Sequence, residues 1–371
     1  MRDLIVFGED FGGLPSSTQH LITRLAHDRR VLWVNSIGLR QPRLSKNDIG
    51  RAWNKLLGKA KQGYQTSSQQ HPNIHVANIK TIPAPSSAFA RAMAKHLMVI
   101  QLKPIIKMLQ LKEPILWTSL PTAADVCGHL NESAVVYYCG DDFTSLAGVD
   151  HDVVREHELD LVSHANLVLA ASDKLCLKFP RAKTHFLPHG VDVSLFTEPH
   201  PRALDLPSSG KPIAGFYGSL SNWLDYKMLD QLCKQRTDWE FVFIGPLELS
   251  HNPLPRLPNV HYLGAKAHHE LPQYSQHWTV GLLPFLLNDQ IRACSPLKLK
   301  EYLAAGSAVI SSPFPAAYPY QNQLQFAQTV NEFSAALDRV QQQPSKQTHM
   351  HFIDESWDSR SIELSRLLEA I

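Results

Sequence analysis

Cysteine is sparse and unpatterned. The 371-residue chain has five, Cys127, Cys139, Cys176, Cys233 and Cys294, and no two stand as C-x-x-C. This excludes a disulfide framework and a zinc ribbon and fits a reducing compartment. Long apolar runs are lacking too. None approaches the ~18 residues of a membrane span, and the apolar stretch after Met1-Arg2-Asp3 covers only residues 4–8, too short for the core of a secretion signal. The expectation is a soluble or peripheral cytoplasmic protein. Charge of one sign is not in excess: Lys+Arg 36 against Asp+Glu 34 leaves +2, which argues against a nucleic-acid coat. Neither a P-loop nor a G-x-S-x-G elbow occurs. Two histidine groups invite a metal reading and neither places ligands on one helix face: His268-His269-Glu270 lacks a second histidine one turn on, and His185 and His189 straddle Pro188 in a predicted strand. No metal and no bound cofactor is expected.

What is present is the material of two α/β domains. Hydrophobic residues make up 44% and charged residues 19%, a globular balance, and the length suits two cores better than one. Short apolar runs at 4–8, 31–35, 74–82, 115–119, 134–139, 167–172 and 184–188 predict strands. Helix-length patterns at 16–27, 87–111, 122–130 and 152–164 lie between several of them. Nearly continuous apolar strands are buried on both faces, as in a parallel sheet. The periodicity breaks over 198–212, where Pro199, Pro201, Pro207 and Pro212 fall. A second series follows, with strands at 213–218, 241–245, 260–264, 280–285 and 308–312, helices at 227–235, 268–277, 296–305 and 332–343, and a last helix at 356–370. The predicted division is a first domain over 1–196, a linker over 197–212, a second domain over 213–352, and a terminal helix over 353–371 that packs back toward the first domain. Both domains read as doubly wound, and open α/β sheets bind ligands at the carboxyl ends of their strands.

The densest chemistry lies in Cys294-Ser-Pro-Leu-Lys298-Leu-Lys-Glu301-Tyr-Leu-Ala-Ala-Gly306-Ser-Ala-Val-Ile310. Ser295 and Pro296 suit a helix start, and Gly306 suits its end. A helix N-terminus with Lys298 in its first turn attracts an anion, and Glu301 follows three residues later on the same face. A diphosphate on Lys298 with a ribose diol on Glu301 uses every polar group there; a capped surface helix with an ion pair is the plainer alternative.

This segment resembles the donor-binding motif of GT-B glycosyltransferases of the family 4 type, Pro-x-Lys-x-x-Glu followed by an Ala-x-Gly turn. Leu187-Pro-His-Gly-Val-Asp-Val-Ser-Leu-Phe196 is similar to that family's interdomain crossing, Ile213-Ala-Gly-Phe-Tyr-Gly218-Ser219-Leu220 to the first strand and glycine turn of its nucleotide domain, and Ser356-Trp-Asp-Ser-Arg360 to the start of its final helix. The resemblance covers most of the chain. It implies two Rossmann-like domains facing a cleft and transfer of a sugar from a UDP- or GDP-sugar to a glycan or lipid-linked glycan acceptor in cell-surface polysaccharide assembly. It also implies Gly218, Ser219, Ser295, Lys298 and Glu301 as donor residues. Two positions depart from the pattern. Ala293 stands where many members carry a first glutamate, and Ser221-Asn222-Trp223 replaces the basic residue after the glycine turn. Arg292 is a candidate to replace the lost charge. Donor sugar and stereochemistry stay open, as do two other readings: a GT-B nucleotide-sugar 2-epimerase and a non-catalytic GT-B subunit.

Two loops of the first half add candidates. Gly8-Glu-Asp10-Phe-Gly12-Gly13-Leu-Pro-Ser16 follows the first strand; it is not G-x-G-x-x-G, yet Gly12 and Gly13 permit close backbone approach to a donor. Val135-Val-Tyr-Tyr-Cys-Gly-Asp141-Asp142 sets two carboxylates beyond a strand end, where a general base for an acceptor hydroxyl is useful. Asp142 is the first candidate base, Asp141 the second and Asp10 the third.

Between Arg40 and Lys112 the only acid is Asp48, against a series of Arg and Lys. Arg51, Lys55 and Lys59 form a basic stripe opposite Trp53, Leu56 and Leu57; Arg91, Lys95, Lys103 and Lys107 form another beside Phe89, Met93, Leu97 and Ile100. The pattern predicts docking of residues 40–112 on an anionic membrane surface, at the inner face of the cytoplasmic membrane. For 87–111 taken alone, a core-facing helix with a solvated charged face is the simpler expectation. Without an aromatic stacking platform, nucleic acid is not an expected partner.

Overall fold

A computed structural model describes residues 1–13, 16–36, 71–82, 87–143, 151–295, 297–342 and 352–371. Runs such as Leu-Ile-Val-Phe and Val-Leu-Trp-Val have no polar face to offer water, so they form strands covered on both sides, the setting in which parallel pairing is stable. The chain divides into two compact units, Met1–Pro188 with Arg360–Ile371, and His189–Ser359. Each is built on one such sheet.

In the first unit the strands are β1 (Leu4–Phe7), β2 (Val31–Val34), β3 (Ile74–Ala77), β4 (Ile115–Thr118), β5 (Ala134–Cys139), β6 (Leu167–Ala170) and β7 (Thr184–Phe186), in the order β3-β2-β1-β4-β5-β6-β7. Every pairing is parallel. The order reverses at β1, whose neighbours are β2 and β4, and that reversal opens a crevice at the carboxyl ends of the two. The predicted helix at 122–130 is only a 3-10 turn, Pro121–Val126: proline opens it, and Gly128, with φ at +79°, turns the chain away.

The helix Ala88–Met108 turns Ala94, Met98 and Leu102 inward. Phe89, Met93, Ile100 and Met108 stay exposed, so the apolar residues of this helix do not simply face the core. Arg91 leaves the expected basic stripe. It pairs with Asp125 at 2.6 Å, Glu156 at 3.1 Å and Asp160, three acids brought to it by the neighbouring turn and helix. Residues 37–70, including Arg51, Trp53, Lys55, Leu56, Leu57 and Lys59, lie outside the described residues.

The second unit carries β8 (Ile213–Tyr217), β9 (Glu240–Ile244), β10 (Val260–Tyr262), β11 (Val280–Leu283), β12 (Ala308–Ser311) and β13 (Gln325–Phe326), in the order β10-β9-β8-β11-β12-β13. They too are all parallel, and the order reverses between β8 and β11. The proline-rich 197–212 segment lies against this unit. Ala203 and Leu206 are buried in its core, and the Gln276 side chain donates to the carbonyls of Phe196 and Glu198. The terminal helix Trp357–Glu369 begins in the second unit and ends in the first.

Candidate functional site

The site in the second unit starts from how one helix, Leu297–Ala304, is fixed to the sheet. Its Tyr302 ring lies where a side chain on Gly281 of β11 would be, 2.6 Å from the position of a Cβ, so only glycine there lets helix and strand approach this closely. Tyr302, Tyr217 and Trp278 then pack as a trio with ring centroids 4.8–5.7 Å apart. Such pairs add roughly 0.5–1.5 kcal/mol each beyond burial. The Tyr302 hydroxyl also accepts the Tyr217 N–H at 3.0 Å. At the far end Gly306 N–H donates to Leu303 and Ser307 N–H to Tyr302, the double bond of a glycine-terminated helix.

This anchoring brings the first turn of the helix to the carboxyl end of β8, at the strand reversal. The Lys298 side chain runs directly over Gly218. A Cβ on Gly218 would lie 2.1 Å from Lys298 Cε and would push the lysine aside, and the φ of +139° is one that side chains disfavour. One turn on, Glu301 is nearly buried, and its Oε1 lies 2.9 Å from His268 Nε2. The His268 ring meets Phe196 edge-on at 5.6 Å. On another face of the helix, buried Lys300 donates to the His189 carbonyl at 2.8 Å and pairs with Glu355 at 2.8 Å. Burial, with Lys300 and Lys298 adding to it, pushes the His189 imidazole down to about 3, so it is neutral at physiological pH. Ser295 accepts the His189 N–H at 3.4 Å. Ser219 follows Gly218 at the same strand end, and Arg292 is exposed at the end of the short helix Asp289–Arg292. Of the predicted donor residues, Gly218, Lys298 and Glu301 are thus gathered through two turns of one helix. Their chemistry is a cation and an acceptor at a helix N-terminus, suited to an anion joined to a polyol.

Gly12, Gly13, Asp10, Asp141 and Asp142 belong to the first unit. The loop after β1 is braced from within. Phe11 N–H donates to Asn35, Gly12 N–H to Gln19 and Gly13 N–H to the Asp10 carbonyl, at 2.8–3.1 Å. The Gly12 and Gly13 amides therefore already have acceptors, and a ligand would have to displace them. Ser16 caps the following helix and donates to Glu9. The exposed Asp10 uses one carboxylate oxygen to accept Ser36 N–H at 3.1 Å. Beyond β5, Asp141 is exposed, whereas Asp142 pairs with Lys178 at 2.9 Å. Lys178 also reaches the buried Glu158 at 2.7 Å, and Glu158 accepts the Tyr137 hydroxyl at 2.7 Å. Burial works against the Lys178 charge, but the bonds and charges of Glu158 and Asp142 outweigh it and raise its pKa. An ammonium held this way already occupies one Asp142 carboxylate oxygen.

Sequence reasoning missed His268, read only as part of a failed metal motif, and Lys178. Each meets its carboxylate from more than 30 residues away in the chain, 33 for His268 and 36 for Lys178, so no local spacing announces the pair.

No protein-family model matches the chain. Over 258 residues it is 28% identical to TuaH of Bacillus subtilis (strain 168), provisionally assigned as a teichuronic acid biosynthesis glycosyltransferase. The match takes in 63% of this chain and 65% of TuaH, so the chain spans just under two thirds of that curated relative's length. Among solved structures, Anabaena HepE in complex with UDP and glucose matches with a TM-score of 0.70 and 13% identity over 100% of both chains. The sucrose-phosphate synthase of Thermosynechococcus elongatus matches at 0.67 and 14% identity, over 100% of this chain and 99% of that one. The lipopolysaccharide outer core galactosyltransferase WaaB in its apo form matches at 0.60 and 12%, over 99% of each. At these identities the likeness is one of fold: two parallel sheets with alternating helices, the GT-B architecture.

Proposed function

We propose that the chain is a glycosyltransferase that moves a sugar from a nucleotide-sugar donor to a hydroxyl of a glycan acceptor in cell-surface polysaccharide assembly. The observation that carries this reading is Lys298 lying over Gly218 with Glu301 one turn on, which the proposal takes as a diphosphate site followed by a ribose site on one helix. TuaH supports the pathway class and HepE the nucleotide, so UDP-sugars come first and GDP-sugars second. The first unit supplies the acceptor side and, in this reading, the general base. Asp10 moves ahead of Asp142 and Asp141 as that base, because Lys178 engages Asp142 while Asp10 lies beside the strand reversal. Thermal unfolding tests the donor. A ligand at 100 times its Kd adds about 2.7 kcal/mol, so UDP, GDP or their sugars should raise the Tm measurably, and labelled sugar should then pass to an acceptor glycan. No shift with any nucleotide overturns the reading; release of an epimerised nucleotide sugar with no transfer replaces it with the epimerase.

The acceptor is lipid-linked in this proposal, and the first unit docks on the cytoplasmic membrane. No described helix is long and apolar enough to cross a membrane. Support for docking comes from Phe89, Met93 and Ile100, which are 76%, 40% and 51% exposed on a helix that also exposes Lys103 and Lys107. Phosphatidylglycerol vesicles should bind the protein and phosphatidylcholine vesicles should not. Lys103→Glu with Lys107→Glu should remove most binding at low salt, since each basic residue near such a surface contributes about 1 kcal/mol. Phe89→Ala with Met93→Ala should weaken the part that survives high salt. Equal binding to both vesicles, or to neither, would leave these residues as a solvated helix face.

A further inference from the structure

We propose that His268 is a positioning residue for donor recognition: its imidazole holds the Glu301 carboxylate where it accepts the ribose hydroxyls of a nucleoside diphosphate. The proposal rests on the nucleotide-sugar reading above and adds a residue that lies outside the donor motif.

Glu301 needs such a partner. Its side chain is 4% exposed, and a carboxylate buried to that degree is neutralised or displaced unless a hydrogen-bonding group compensates its lost water. His268 supplies that group at 2.9 Å. The imidazole is itself held in place. It opens the 3-10 turn His268–Glu270, which the Glu270 carboxylate closes by accepting Ala267 N–H at 2.8 Å, and the Phe196 ring bears on it from one side. Among the described residues, the charged groups that face it from packed elements are Glu301 on the helix Leu297–Ala304 and Asp192 at the N-cap of the helix Val193–Thr197. Burial pulls the His268 pKa down, but the bond and charge of Glu301, and then Asp192, bring it above the usual imidazole value. Below that raised pKa the imidazolium makes a charge-assisted bond to the Glu301 carboxylate and orients it. As pH rises through it the proton leaves, the charge-assisted bond becomes a neutral one, and donor affinity falls.

UDP-glucose is the probe for the pH test, because its diphosphate has no ionisation near neutrality to mimic that of His268. Its Kd by calorimetry should rise between pH 6 and pH 9 in the wild type. In His268→Ala it should be about tenfold weaker at pH 6, the loss of one charge-assisted bond, and flat with pH. His268→Gln, which keeps an N–H donor and guards against a folding defect in the alanine variant, should bind within a few-fold of wild type at pH 6 and also lose the pH dependence. The preference for UDP over 2′-deoxy-UDP should shrink toward one in His268→Ala and Glu301→Gln alike, which loss of packing alone would not produce. An unchanged pH profile and an unchanged ribose preference in His268→Ala, with Glu301→Gln impaired, overturn the role of His268 and leave the donor site standing. UDP-glucose binding that is indifferent to Lys298→Ala and Glu301→Gln as well overturns the donor reading and, with it, this proposal.

Discussion

Lys298→Ala is expected to weaken binding of a nucleoside diphosphate roughly 10- to 150-fold, the equivalent of the 1.5–3 kcal/mol that a hydrogen bond to a charged group contributes, with the melting temperature unchanged. The side chain is half-buried against Gly218 and has no structural ion pair among the described residues, so its removal should not unsettle the sheet. Its neighbour Lys300 makes the contrast. That ammonium is buried and tied to Glu355 and the His189 carbonyl, so Lys300→Ala should act on folding before binding. Gly218→Ala approaches the same site from the other side. The new methyl would sit 2.1 Å from Lys298 Cε on a backbone with φ of +139°, forcing the lysine off the strand end and straining the turn. It should reproduce the binding loss of Lys298→Ala and lower the melting temperature as well. Uridine, which has no phosphate, should be indifferent to Lys298→Ala and sensitive to Glu301→Ala. Calorimetry on Lys298→Ala, Gly218→Ala and Glu301→Ala with UDP and uridine checks the whole assignment. Affinities equal to wild type in both Lys298→Ala and Glu301→Ala would remove the helix as a donor site.

Much of this site was legible because its parts are close in sequence. Lys298 and Glu301 are one helical turn apart, and Gly306 closes the same helix, so helical spacing places them without a structure. Strand runs were legible for a related reason: a stretch buried on both faces has no polar residues to blur its limits. The run at 134–139 coincides with β5, and those at 4–8, 31–35 and 115–119 exceed their strands by one residue. In each of these the extra residue still donates one ladder bond, Gly8 to Val34, Asn35 to Ala77 and Ser119 to Phe7. The failures lie where one face is open or a proline intervenes. The run at 74–82 stops at Ala77 because β3 is an edge strand with exposed His75 and Val76, so pattern no longer marks where pairing ends. The helix expected at 268–277 breaks into a 3-10 turn and a four-residue helix at Pro272, which has no N–H to continue the ladder. That broken segment carries His268. Its importance comes from tertiary packing that sets an irregular turn beside a helix, and neither periodicity nor composition encodes that meeting.

The largest effect on turnover is expected from Asp10→Asn, a loss on the order of 10²–10⁴ in kcat, the range for removing a general base, with donor affinity retained because Lys298 and Glu301 belong to the other unit. Composition favours the Asp141-Asp142 pair, since two adjacent carboxylates beyond a strand look like a tuned acid and base. Geometry shifts the weight. Asp142 is drawn into a network with Lys178, Glu158 and Tyr137, where the Lys178 ammonium already occupies one of its carboxylate oxygens. Asp10 follows β1, the strand at which the sheet order reverses, and ligands of open α/β sheets gather at that reversal. Its loop is held by Asn35, Gln19 and Ser36, so the carboxylate is presented on a braced backbone. Asp142→Asn should accordingly cost less than tenfold in turnover and show its effect in the melting temperature, because it leaves Lys178 with one carboxylate instead of two. Steady-state rates with a soluble acceptor, read beside donor Kd values, separate the cases. An active Asp10→Asn with an inactive Asp142→Asn or Asp141→Asn would return the base to the β5 loop. Full activity in all three would mean that none of these three carboxylates takes the proton, and would direct attention to a retaining reaction, in which the donor's own leaving phosphate can accept it.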